Sequence, residues 1–146
     1  MILVAIASVA AADHGSANRV ATVSVGKRFD PDEWGATVDP VMMPFNLKRL
    51  SSRDQSRAIG GPEMSWYGAL GYVAGNPSLY YEGPGGLSVL IFADRSLNCI
   101  RISVTDLTEP PDKRVIPTIS AIGSAIAGRY GTAMKHYSDL QCNHAR

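Results

Sequence analysis

The densest group of reactive side chains lies near the end of the chain. His136, Asp139, Cys142 and His144 bring imidazole, carboxylate and thiol into one short stretch. Zinc is held by such ligands in tetrahedral sets, and a cysteine with His136 and Asp139 is the raw material of a small hydrolase. The spacing fits no zinc pattern, and a terminal segment is a poor scaffold for fixed geometry. No metal, no cofactor and no catalytic residue is therefore expected. Cys142 has a second use, because the chain carries two cysteines, Cys99 and Cys142. A bridge between them would close a loop of roughly 40 residues, worth about 3–4 kcal/mol in the chain-entropy model. Cys99 opens a strand on its less buried face, within reach of a segment crossing it, and a link to Cys142 would pin the polar tail over the strand pair.

Lys48, Arg49, Arg53 and Arg57 form the next constellation. The arginines recur every four residues, so a helix reaching back to Asn46 would align them as a basic stripe for carboxylate, phosphate or anionic headgroups. If Ser52 caps the helix, Arg49 falls outside it and the stripe shrinks to Arg53 and Arg57. Asp30, Asp32, Glu33 and Asp39 invite comparison with a calcium loop, but Trp34 and Val41 occupy positions that need oxygen ligands. Gly83-Pro84-Gly85-Gly86 lacks the Lys-Ser/Thr of a phosphate loop and reads as a turn. Trp66, Tyr67, Tyr80 and Tyr81 suit cross-strand packing, and an exposed subset would make a recognition surface.

The elements that must position these groups follow from periodicity. Ala21, Val23 and Val25 alternate with polar residues in a short strand ended by Gly26. Three prolines punctuate residues 29–46, which read as a loop. Ser52 and Gln55 fit a capping box that opens a short helix, and Gly60-Gly61-Pro62 closes it. Trp66 to Ala74 reads as an aromatic strand and Leu79 to Glu82 as a brief one. Leu87–Ala93 and Cys99–Thr105 form the strongest pair, with Ile100, Ile102 and Val104 pointing one way and Cys99, Arg101 and Ser103 the other. Past Pro110-Pro111, a helix from about Pro117 to Tyr130 places Ile119, Ile122 and Ile126 on one side, and its small residues Ser120, Ser124 and Gly128 are expected to pack closely on the sheet.

The chain has 146 residues, enough for one domain. A hydrophobic share of 45% allows a core, and a net charge of +1 argues against a nucleic-acid partner. No apolar run is long enough to span a bilayer. Residues 1–12 carry no charge and finish on Ala10-Ala11-Ala12, as a secretory signal does before its cleavage site. The positive residues that usually begin a signal are missing, as a start codon placed too late would explain. Residues 13–19 then read as a linker and 20–146 as the domain, in a periplasmic or secreted, disulfide-permitting compartment.

From about Leu50 to Val104 the chain resembles the SmpA/OmlA-type (BamE-like) small envelope proteins. The resemblance rests on Ser52-Arg53-Asp54-Gln55 opening a helix, Ile59-Gly60-Gly61-Pro62 closing it, Trp66-Tyr67, and the hairpin of Leu87–Ala93 with Cys99–Thr105. It implies a short helix pair on an antiparallel sheet, in a protein that binds other envelope proteins or lipid. The chain departs from that pattern in lacking a lipidation cysteine after its apolar start, in showing only one of the two expected helices before the sheet, and in placing a long helix after the last strand.

The expected fold is α+β: a three- to four-stranded antiparallel sheet, a short helix before it, and a longer C-terminal helix packed on one face. The expected function is a non-catalytic exported protein that binds another macromolecule, either an envelope protein or an anionic lipid surface. A small hydrolase built on the tail and a lipid or small-ligand carrier are the alternatives.

Overall fold

Strictly alternating apolar residues build the centre of the molecule. The computed structural model describes residues 17–59, 67, 72–73, 76–93, 99–110 and 113–131. Its strands are β1 (Ala17–Val23), β2 (Lys48–Arg49), β3 (Ser78–Glu82), β4 (Leu87–Ala93) and β5 (Ile100–Asp106). They form one antiparallel sheet in the order β1-β5-β4-β3-β2. The helices are α1 (Pro31–Met42), α2 (Ser52–Ala58) and α3 (Val115–Tyr130). The architecture is α+β, with a helix before the sheet's main strands and the C-terminal helix packed on it.

On one face the register aligns Ala21, Ile102, Ile91 and Leu79 across four strands. Val89, Val104, Ile100 and Tyr81 join them beneath α1 and α3 in one continuous core. Helix α3 contributes Val115, Ile119, Ile122 and Ile126, all fully buried, as the spacing of its isoleucines predicts. Its small-residue stripe behaves differently: Ser120, Ser124 and Gly128 are exposed, and a Cβ on Gly128 would meet nothing within 4 Å. The isoleucine side alone satisfies the sheet, and the stripe faces away.

The largest departure from the sequence reading is α1, which occupies residues read as a loop. Two of the three prolines there fall at the start of an element. Pro31 sits in the first turn, where a missing N–H costs nothing. Asp30 caps the helix, its Oδ1 accepting from the Asp32 and Glu33 amides at 3.0 and 3.5 Å. Pro40 lies near the C-terminal end, and Pro44 opens a short 3-10 turn, Met43–Phe45, that ends on left-handed Asn46. Trp34, Val38 and Met42, spaced by four, give the helix a buried face.

Four smaller corrections concern the edges and the second helix. The sheet has five strands, because both of its edges were short or hidden: β2 is two residues long, and β1 begins at Ala17, inside the segment read as a linker. The helix does not extend back to Asn46, because Lys48 and Arg49 pair with Glu82 and Tyr81 as β2. Its cap is Ser51, whose Oγ accepts from the Asp54 amide at 3.2 Å; Gln55 turns instead to the Ser78 hydroxyl. Tyr67 is helical, not part of an aromatic strand. Residues 1–16 and the tail 132–146, with the signal, zinc and hydrolase readings attached to them, lie outside the described residues.

The second face of the sheet is also covered. Val20, Tyr80, Leu90 and Phe92 pack with Ile59 and Tyr67 into a separate core, flanked by Leu50, Ala58 and Tyr72. Beside it runs a polar row on β1 and β5. Asn18 is 1% exposed, Thr22 3%, Ser103 1% and Arg101 9%, and Cys99 is wholly buried just ahead of β5. The expectation that Cys99, Arg101 and Ser103 line a less buried face is thus corrected. Alternation assigns residues to two faces, but it does not reveal whether the second is covered.

Candidate binding surface and its charged ties

Of the four cations singled out from sequence, the structure separates one from the rest. Arg49 shares a face with Tyr81 and pairs with Asp39 of α1, Nη2 to Oδ2 at 3.0 Å. The same carboxylate accepts the Tyr81 hydroxyl at 2.5 Å through Oδ1, so one acid ties β2, β3 and α1. Gly35 permits this closeness, since a Cβ there would lie 2.8 Å from Arg49 Nη1. Burial, then the bond to Asp39 and its charge, push the Tyr81 phenol well above its ordinary value. Its hydroxyl is the donor that ties β3 to α1.

Lys48 lies opposite Glu82 on the other face, the side on which α2 packs through Ala58. Arg53 and Arg57, one helical turn apart on α2, are exposed, as is Lys48. None of the three holds an ion pair among the described residues. What survives of the predicted stripe is therefore Lys48, Arg53 and Arg57, with Asp54 as the acid on the same helix.

The aromatic candidates do not form an exposed surface. Tyr67, Tyr80 and Tyr81 are 5%, 7% and 1% exposed, and Trp66 lies outside the described residues. Tyr67 and Tyr72 meet edge-on at 6.3 Å, and Tyr72 meets Phe92 at 5.5 Å. These rings fill the second core.

Two charged clusters escaped the sequence reading. In the first, Asp106 ends β5 with its carboxylate fully buried and receives a two-pronged bond from Arg114, Nε at 2.8 Å and Nη2 at 2.9 Å. Arg114 also donates to the Pro84 and Gly85 carbonyls at 2.8 and 3.1 Å, while Asp106 accepts the Thr108 amide at 3.0 Å. Burial would raise the Asp106 carboxyl, but the Arg114 and Thr108 bonds outweigh it and hold the group below its ordinary range. The result is a latch joining the β3–β4 turn, the end of β5 and the start of α3. Gly85 and Gly86, both at positive φ, shape the turn it grips. An Asp closing an apolar strand, eight residues before an Arg at a helix start, was the available signal.

In the second cluster Glu33 of α1 accepts from Lys27 and from Arg129 of α3, each at 3.1 Å. Both cations lie within 6 Å of the Tyr130 ring, at 5.9 and 5.8 Å, and that ring stacks on Trp34 at 5.5 Å. Lys27, then Arg129, draw the Glu33 carboxyl down. Three of the four acids compared with a calcium loop thus have structural duties: Asp30 caps, Glu33 bridges and Asp39 ties.

Cys99 is not a free thiol. The sequence contains one other cysteine, Cys142, beyond the described residues. Among the described residues, no helix is long and apolar enough to cross a membrane. Comparison with family models, curated proteins and solved structures returned no match.

Proposed function

We propose that this chain is an exported, non-catalytic binding protein whose Lys48, Arg53 and Arg57 engage an anionic partner, a lipid surface or an acidic envelope protein. The observation that carries this reading is the division of labour among cations. Arg49 and Arg114 are spent on carboxylates of the same chain, whereas these three stand exposed on β2 and α2, close to one another in sequence. Three further points support it. The first strand starts at Ala17, so cleavage after Ala12 would leave the sheet whole. A Cys99–Cys142 bridge accords with a cysteine that is not free and with an oxidising compartment. The resemblance to SmpA/OmlA-type proteins implies macromolecular binding, and here a short helix precedes three consecutive antiparallel strands.

Co-sedimentation with vesicles tests the anionic reading. Each Lys or Arg near an anionic bilayer contributes about 1 kcal/mol. Replacing all three by glutamine should therefore weaken binding to phosphatidylglycerol vesicles by roughly 150-fold. Binding to purely zwitterionic vesicles should be absent. Equal binding to both vesicle types, or an undiminished triple variant, would overturn the lipid arm. An acidic protein partner that binds wild type and triple variant equally would overturn the other.

A further inference from the structure

Helix α2 is fastened at its ends, yet no residue within it is buried. At its start Ser51 Oγ accepts from the Asp54 amide at 3.2 Å. At its finish the Ile59 amide donates to the Gln55 carbonyl at 3.0 Å, and the Ile59 side chain enters the second core. Gln55 Nε2 donates to the Ser78 hydroxyl. The helix proper, Ser52–Ala58, contains no buried residue, and Ser52, Arg53, Asp54, Ser56 and Arg57 are all exposed. A helix of seven residues is marginal unless packing supports it.

Its own side chains work against it as well. Arg53 and Arg57 stand at the spacing where like charges repel across one turn. Asp54, three residues before Arg57, forms no ion pair with it among the described residues. The Ser56 hydroxyl donates back to the Ser52 carbonyl at 3.1 Å, a competition with the backbone that weakens helices slightly. Two unpaired guanidiniums on adjacent turns are an arrangement that one oxyanion repairs, because an anion between them turns a repelling pair into an attracting one. A phosphate group suits that gap, since its oxygens accept from both planar forks at once. The exposed residues of α2 include no apolar or aromatic side chain to form the core of a protein interface. A small charged group therefore fits this helix better than a protein face does.

We propose that Arg53 and Arg57 clamp a single phosphate group, and that closing the clamp completes α2. The proposal rests on the anionic-partner reading above and narrows it to phosphate chemistry, borne by a lipid headgroup or free in solution. Helix and ligand are linked reciprocally: an anion that prefers the formed helix must stabilise that helix by the same factor. Swinging a pair at this spacing from repulsion to attraction changes the helix population by about two- to fivefold.

Hydrogen exchange of the full chain, read residue by residue by NMR after quenching, tests this. The amides from Gln55 to Ile59 should exchange about two- to fivefold more slowly with phosphatidylglycerol vesicles or with inorganic phosphate, each against chloride at matched ionic strength. Slowing by vesicles alone assigns the phosphate to a lipid headgroup; slowing by inorganic phosphate makes the free anion a ligand. Arg53→Gln should abolish either response. Without any phosphate, Arg53→Glu should itself slow these amides by a similar factor. It should do so less when Arg57→Gln is also present, if the pair and not the preference of a helix start for acids is the cause. Slowing from neither source overturns the clamp; if the chain still sediments with the vesicles and the triple glutamine variant does not, the anionic reading stands without it. Loss of both slowing and sedimentation overturns both. Equal slowing at Ser52 and Arg53, whose amides no intrahelical carbonyl reaches, is occlusion by the bilayer and overturns the completion of α2.

Discussion

Replacing Arg114 by alanine should be among the most damaging changes outside the apolar core. The substitution removes both prongs from Asp106, whose side chain has no exposure, and two donors from the Pro84 and Gly85 carbonyls. Breaking a buried pair from one side costs about 3–5 kcal/mol, because a charge stays behind in low dielectric. The Arg114 side chain is 26% exposed, so water softens the loss and the lower end, about 3 kcal/mol, is expected. For a chain of this size that is roughly 6–12 °C in Tm. The pH dependence carries a signature. In the wild type the Asp106 carboxyl is held below its ordinary value, so its contribution is present above the unfolded pKa and fades as pH falls through the folded one. In the variant burial persists without the cation, which raises the carboxyl, and the penalty is relieved as pH falls. The stability gap between the two proteins should therefore be widest at neutral pH and narrow below about pH 4. Urea unfolding followed by circular dichroism at several pH values measures it. A loss under about 0.5 kcal/mol, or a gap independent of pH, would refute the latch as an energetic element.

Two further substitutions probe the ties around α1. Tyr81→Phe removes the bond to Asp39 and should cost about 0.5–1.5 kcal/mol in urea unfolding; since the Tyr81 phenol is pushed up in the folded protein, the substitution should leave the native tyrosine absorbance titration near its ordinary range unchanged. Asp30→Ala deletes the α1 cap and should cost about 1 kcal/mol, whereas Asp30→Ser should recover most of it in the same assay.

The hairpin of β4 and β5 and the apolar face of α3 were legible because their signals are local: strict alternation in one, isoleucines at helical spacing in the other. Helix α1 was equally written in Trp34, Val38 and Met42, but counting prolines obscured where they fall, at a first turn and near a last. The extension of the second helix back to Asn46 failed for a non-local reason, since Lys48 and Arg49 pair with Glu82 and Tyr81 as a strand. Burial of Cys99, Arg101 and Ser103 was beyond any reading of β5 alone, as it depends on what lies above the sheet. The Asp106–Arg114 tie joins residues eight apart through a turn some twenty residues earlier, a geometry that appears only when β4 and β5 are paired.

The pairing of β1 with β5 bears on the order in which this chain can fold. Asn18 and Ser103 meet across 85 positions, so closing that loop costs about 4 kcal/mol of chain entropy before any contact offsets it. Strands β3, β4 and β5 follow one another and can zip early, whereas β1 must wait. At 5–20 residues per second of synthesis, the wait is roughly 4–17 s after β1 emerges. Throughout it Val20, Ala21 and Val23 have no sheet to join, and the chain stays incompletely folded and open to a holding chaperone. Of the described strands, the one made first is the one that completes the sheet last.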